Sequence, residues 1–184
     1  MKQPHLAPYG TWRSPITSDL IVADSIDLNE PRFDGTDIYW LEHRPKEAGR
    51  ITVIQHTAAG ELIERTPPTT NVRTRVHEYG GGAYAVADGT LYFSNFSDQR
   101  IYRQSGDSAP EPITPATELR YADYCVDSRR NLLFCVREDH RQPGEAINTI
   151  AKVNGAGDVE GGMVLVSGND FYSSPRLSPN GQQL

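Results

Sequence analysis

Long apolar runs are missing from this 184-residue chain. No window approaches the roughly 20 apolar residues of a membrane-spanning helix, and the opening MKQPHLAPYGTW has no apolar core of signal-peptide type. A soluble, cytoplasmic protein without a membrane partner is expected. Basic charge is also scarce: 18 Lys and Arg stand against 24 Asp and Glu, a net charge of −6. Nucleic-acid binders carry basic surfaces, so nucleic acid is set aside as a partner. Cysteine is limited to Cys125 and Cys135. Neither lies in a CxxC or at a metal-like spacing from histidine, so two free thiols in a reduced compartment are expected. Their separation would still allow a disulfide across one hairpin.

The common catalytic and metal signatures are missing too. No GxSxG nucleophile elbow occurs. The five histidines are dispersed, and His77-Glu78 begins like HExxH without its second histidine. No EF-hand spacing of acids occurs. Gly80, Gly81 and Gly82 precede a strand-like run, not a helix, which makes them a poor phosphate cradle. No catalytic residue, metal or cofactor is therefore assigned.

What the chain does have is punctuation. Its 16 glycines and 13 prolines separate short apolar runs. Ser14-Pro15 is a helix start, with serine as N-cap and proline at the first helical position; Ile16, Leu20 and Ile21 carry the spacing of one short helix over Pro15–Ala23, behind an extended leader. From Ser25 the pattern becomes turn and strand: Asp34–His43, Ile51–His56 and Glu61–Thr66; two strands about Asp88-Gly89, then Arg100–Gln104 and Glu111–Pro115; two strands within residues 121–138, then Asn148–Val153 and Gly162–Ser167. A further copy begins at Phe171. Ile38, Leu91, Leu132 and Leu184 hold equivalent places at intervals of 53, 41 and 52 residues. Four short strands per ~40–50 residues is the period of a β-propeller blade. The fold expected is all-β: a partial, incomplete propeller of four-stranded antiparallel blades with one short N-terminal helix. Residues 1–24 would be leader and helix, and residues 25–184 about three blades plus the start of a fourth. A β-sandwich competes, but the repeat period weighs against it. Tyr39, Trp40, Tyr92, Phe93, Tyr124 and Phe134 sit beside the turns at matching places and are assigned mostly to inter-blade core.

The densest polar tract is Asn71–Tyr84, NVRTRVHEYGGGAY. In an extended chain alternate residues share a face, so Arg73, Arg75 and His77 point one way and Glu78 the other unless the chain bends. Two readings stand: a structural knot in which Glu78 neutralises Arg73 or Arg75, and a polar cluster lining a cavity.

RVHEYGGGAY, together with YGTWRSPIT at Tyr9–Thr17, resembles the N-terminal β-propeller of bacterial prolyl oligopeptidase-family serine peptidases, the acylaminoacyl-peptidase and dipeptidyl-aminopeptidase-like enzymes. The resemblance extends from about Pro8 to the last residue. It implies that the propeller covers the active site of a C-terminal α/β-hydrolase domain carrying a Ser-Asp-His triad, admits short peptides, and holds a substrate terminus. That domain is absent from this sequence, so no triad residue transfers, and this stretch is expected to be a non-catalytic piece of a longer peptidase. Its partners would be the missing hydrolase domain and a short peptide. By the resemblance Arg73, Arg75, His77, Glu78 and Tyr79 are the candidate substrate-binding residues: Glu78 suits a peptide α-amino group, and an arginine suits a carboxylate. The alternative is that the tract locks the propeller to the hydrolase. Ser178–Gly181, SPNG, is similar to the turn of TolB-type repeats, and a non-catalytic TolB-like scaffold that binds a protein partner is the second function. A carbohydrate-binding β module is the third; it requires exposed aromatics on one face.

Overall fold

In the computed structural model, residues 6–22 and 25–184 are described. They form three four-stranded antiparallel sheets, each a meander in chain order. The first blade holds β1 (Asp27–Asp34), β2 (Asp37–Arg44), β3 (Arg50–His56) and β4 (Leu62–Glu64). The second holds β5 (Tyr84–Ala87), β6 (Thr90–Ser94), β7 (Ile101–Ser105) and β8 (Glu111–Pro112). The third holds β9 (Leu119–Asp127), β10 (Leu132–Asp139), β11 (Ile147–Asn154) and β12 (Met163–Ser167). This is the propeller architecture that the repeat implies. Ile38, Leu91 and Leu132 fall at the start of the second strand of each blade.

Blades meet face to face, and the core lies between them. Tyr39, Leu41 and Val53 of the first blade pack with Tyr84, Leu91 and Phe93 of the second. Tyr92 and Ile101 of the second pack with Leu119, Tyr121 and Leu133 of the third. Burying each such side chain contributes about 1.5–3 kcal/mol, so the blade interfaces carry much of the stability. Five of the six turn-flanking aromatics are buried as assigned, while Trp40 stays half-buried with its Nε1 donating to Glu42 at 3.3 Å. Cys125 and Cys135 sit on adjacent strands β9 and β10 and are free thiols. Burial pushes the Cys135 thiol up to about 12.

Strand β1 is absent from the sequence-based reading. Pro31 lies inside it, and the β1–β2 register slips between Asn29 and Arg32, a bulge that breaks the alternation by which a strand is recognised. Strand β9 carries a bulge at the matching place, opposite Phe134–Val136. Glu30 (φ 51°) and Asp123 (φ 55°) occupy the two bulges in the left-handed region.

Each of these bulged acids clasps the segment that follows its own blade. The Glu30 carboxylate accepts the Gly82 N–H at 2.8 Å, and four residues on, Asp34 accepts the Gly89 N–H at 2.6 Å. Asp123 accepts the Ser174 N–H at 3.2 Å. Four residues on, Asp127 binds Arg130 at 2.7 Å, and Arg130 donates to the Gly181 carbonyl at 2.8 Å. The acids recur four residues apart, and their recipients, Gly82 and Gly89 or Ser174 and Gly181, recur seven apart. Gly82 is pinned on its other side by the Asp123 N–H, which donates to its carbonyl at 2.8 Å.

The helix is shorter than expected. It spans Ser18–Val22, labelled α1, because the Thr17 hydroxyl, not Ser14, accepts the Leu20 N–H at 3.1 Å as the N-cap. Ser14 instead closes a local turn with the Ile16 N–H at 3.0 Å. Ile16, Leu20 and Ile21 remain exposed, so the helix does not pack against the blades through them. The first five leader residues and the expected helix end at Ala23 lie outside the described residues. No described helix is long and apolar enough to cross a membrane.

Candidate functional site

The tract 71–82 connects β4 to β5. It is anchored by the Asn71 side chain, which accepts the Ile51 N–H at 3.0 Å, and by the Val72 bridge to Asn95. Val72, Thr74 and Val76 are buried, while Arg73 and Arg75 point outward. The alternation therefore holds as far as Val76. The chain bends there, before the glycines: His77 (φ 57°) and Glu78 (φ 62°) both adopt the left-handed conformation. For non-glycine residues this costs about 1–2 kcal/mol each. Three hydrogen bonds offset that cost. The His77 N–H donates to the Glu138 carboxylate at 2.6 Å, the Glu78 N–H to the Arg75 carbonyl at 2.8 Å, and the Gly80 N–H to the Val76 carbonyl at 3.0 Å.

The five candidate residues separate into two groups. Arg73 and Arg75 both stack on the ring of Phe96, their guanidinium carbons 4.8 and 4.6 Å from its centroid. Neither has a carboxylate partner among the described residues. Glu78 pairs with Arg120 at 2.6 Å, not with Arg73 or Arg75. The Arg120 hydrogen bond holds the Glu78 carboxyl below the usual carboxylate range. Arg120 also donates to the Arg75 carbonyl at 3.1 Å, tying the two groups together. Tyr79 is exposed, with its hydroxyl 3.3 Å from His77 Nδ1. The His77 ring packs edge-on against Phe171 at 5.2 Å.

His77 and Glu78 form one wall of a cleft of about 580 Å³. The opposite wall comes from the third blade and the segment after it, with Glu138, His140, Glu145, Asn148 and Asp170. Four carboxylates and two imidazoles thus line this space, and Arg120 pairs with two of the carboxylates, Glu78 at 2.6 Å and Glu138 at 3.8 Å. Glu138 is almost fully buried and is satisfied by the His77 N–H and by His140 Nε2 at 2.9 Å. The Asn148 carbonyl oxygen is buried and has no partner, as is His77 Nε2. The site is therefore rich in acceptors and negative charge, which suits a cationic amine. Among the described residues no group of His, Cys, Asp and Glu is arranged to hold a metal.

A larger cleft of about 720 Å³ lies at the rim between the first two blades. There Glu64 bridges Arg44 and Arg50 at 2.6 Å each, and Arg65 pairs with Asp107 at 3.0 Å. Its charges neutralise one another, so it acts as an inter-blade staple.

Sequence reasoning placed Arg73, Arg75, His77, Glu78 and Tyr79 together but missed Phe96, Arg120, Glu138, His140 and Asp170. The two-residue spacing of Glu138 and His140, at and just past the end of β10, is the single local signal among them. Nothing local linked Glu138 to His77, 61 residues away.

No protein-family model and no curated protein matches the chain. Solved structures do. A puromycin hydrolase shares 33% identity over 95% of this chain with a TM-score of 0.83. A puromycin-hydrolyzing peptidase of Mycobacterium tuberculosis shares 36% over 95%, with a TM-score of 0.79. A serine-to-alanine variant of puromycin hydrolase, complexed with PGG, also aligns at 33% identity with a TM-score of 0.83. The chain belongs to the propeller region of the prolyl oligopeptidase family. It spans 30% of the length of the puromycin hydrolase structures and 29% of the mycobacterial peptidase. Within that family segment, the acidic cleft and the arginine pair are the two polar features that the tract 71–82 organises.

Proposed function

We propose that this chain is a substrate-gating propeller segment of a serine peptidase that acts on short peptides, and that it carries no catalysis of its own. Its place in the whole protein would be against a C-terminal α/β-hydrolase domain supplying the nucleophile. Residues 171–184, whose Ser174 and Gly181 repeat the spacing and clasp of Gly82 and Gly89, would open a fourth blade.

The observation that carries the reading is the cleft between His77-Glu78 and the third blade. The carboxylates of Glu78, Glu145 and Asp170 face one space. A peptide amino terminus is a cation with three donors, and it would meet Asp170, Glu145 and the free oxygen of Glu78 there. Glu138 supports the wall, since its own oxygens are occupied.

Calorimetric titration of the chain with trialanine and with N-acetyl-trialanine tests this reading. The free amine is expected to bind and the acetylated peptide to bind several-fold more weakly. Equal binding of the two would refute the amine site. The chain is further expected to leave peptide substrates intact and to resist labelling by a fluorophosphonate. Hydrolysis abolished by that reagent would overturn its non-catalytic assignment.

A further inference from the structure

The chain holds two Asn-Gly pairs, Asn154-Gly155 and Asn180-Gly181. Glycine has no Cβ to hold its neighbour off, so its backbone nitrogen can reach the carbonyl carbon of the asparagine side chain. Attack there closes a cyclic imide and expels ammonia. The two pairs share this chemistry and differ in their surroundings. Asn154 ends β11, in register with Leu132. Gly155 is buried, and its N–H donates to the Asn131 carbonyl at 2.9 Å. The Asn131 side chain lies 2.4 Å from where a Cβ on Gly155 would stand. Ring closure requires backbone rotation at the asparagine, and a paired, packed strand end opposes that. Asn180 is exposed and lies in a turn outside the three sheets.

The turn also activates the Asn180 amide. Its Oδ1 accepts the Ser178 hydroxyl at 2.7 Å and the Gln182 N–H at 3.1 Å. The Ser178 oxygen in turn accepts the Gln183 N–H at 2.9 Å, which polarises the hydroxyl. Negative charge gathers on Oδ1 when a nitrogen adds to the carbonyl carbon, and donors already aimed at a developing oxyanion lower the barrier. Among the described residues Asn154 Oδ1 receives one donor, the Ala156 N–H at 2.9 Å. Both glycine N–H groups are bonded, that of Gly181 to the Ser178 carbonyl at 2.7 Å. Those bonds slow both sites and do not separate them.

We propose that Asn180 is a site of spontaneous deamidation promoted by its own turn, while the strand end protects Asn154. The Gly181 nitrogen bonds to Asn180 Cγ, the Cγ–Nδ2 bond breaks, and ammonia leaves with the Gly181 amide proton. Water then opens the imide at either carbonyl and gives aspartate or isoaspartate. The net change is amide plus water to acid plus ammonia, with nothing oxidised or reduced. Closure consumes the Gly181 N–H and with it the bond to Ser178. The product sets a carboxylate beside Arg130, which donates to the Gly181 carbonyl at 2.8 Å. The modification therefore acts on the clasp between the third blade and the segment after it, and it is independent of the amine reading.

Incubation of the chain in mildly alkaline buffer, followed by tryptic peptide mapping, tests this. Trypsin cuts after Lys152 and Arg176, so peptides 153–176 and 177–184 carry one Asn-Gly pair each. Tandem mass spectra locate the amide-to-acid conversion, and chromatographic retention separates aspartate from isoaspartate. Asn180 is expected to convert several-fold faster than Asn154 in the folded chain, and at a similar rate in urea, where both pairs are unstructured. Ser178→Ala should slow Asn180 about two- to tenfold, the worth of one hydrogen bond. Ser178→Thr keeps a hydroxyl and should restore the rate. Equal rates at the two asparagines of the folded chain would overturn the proposal. So would a rate ratio that persists in urea, or a Ser178→Ala rate no lower than the parent's. Circular dichroism verifies folding, and the comparison of Asn180 with Asn154 in the parent carries the test should Ser178→Ala not fold.

Discussion

Glu30 illustrates what one residue contributes to this fold. Burial raises its carboxyl pKa above 4.5, and the Gly82 N–H and the charge of Arg32 only partly counter that. A carboxyl with a raised folded-state pKa contributes most below its unfolded value and loses that contribution as the pH climbs through the raised one. Glu30→Gln keeps an amide oxygen for Gly82 and removes the buried charge. The variant should be at least as stable as the parent at pH 7, and its unfolding free energy should depend less on pH between about 4 and 7. Urea titrations across that range would show this, and a variant less stable at pH 7 would contradict it. Asp127 and Asp139 behave in the opposite sense. Their arginine partners lower both pKa values, so their contribution is present at neutral pH and fades as the pH falls through the lowered values. Gly82 is the second decisive residue. At φ 62° a Cβ there would lie 2.3 Å from the Asp123 carboxylate and 2.8 Å from its backbone nitrogen. Gly89 has a similar φ of 71° and open space around it. Gly89→Ala is expected to cost about 1–2 kcal/mol, and Gly82→Ala about 1–3 kcal/mol more from the clash. Chemical denaturation of both variants makes the comparison.

At the scale of elements, the inner strands of the first and third blades are built alike. A bulge places an acid in the left-handed region, and that acid receives a backbone N–H from the following segment. Asp123→Ala removes the acceptor for Ser174 while leaving the Asp123 N–H bond to Gly82 intact. It should cost about 1 kcal/mol and loosen the segment after β12. Limited trypsin digestion would then cut sooner at the exposed Arg176; an unchanged rate would mean that the clasp does not hold this segment. Such clasps also explain what could be read from the sequence and what could not. Strands β2, β3, β5, β6, β10 and β11 announce themselves as apolar runs bounded by turns, because they are buried or paired on both sides. Strand β1 hides behind Pro31 and its bulge. The helix start was misplaced by one turn because Ser14 and Thr17 are both competent caps, and only the backbone path decides between them.

For the molecule as a whole, stability resides between the blades. Phe93 is fully buried where the first two blades meet, and Phe93→Ala should cost about 3–5 kcal/mol. Val166 on β12 is exposed, and Val166→Lys should change stability by under about 0.5 kcal/mol. Urea unfolding of the pair would contradict this picture if their order were reversed. The sequence by itself determined the blade period, the turns, the buried aromatics and the alternation that turns Arg73 and Arg75 outward, because these follow from residues within one strand or hairpin of each other. Only the tertiary structure decided that the chain bends at His77, that Glu78 pairs with Arg120, and that the arginines stack on Phe96. The partners that decide these matters stand on other strands and loops, 61 residues apart for His77 and Glu138 and 42 for Glu78 and Arg120. Side-chain pairing across blades depends on where each blade's face comes to lie, and a local pattern holds no record of that.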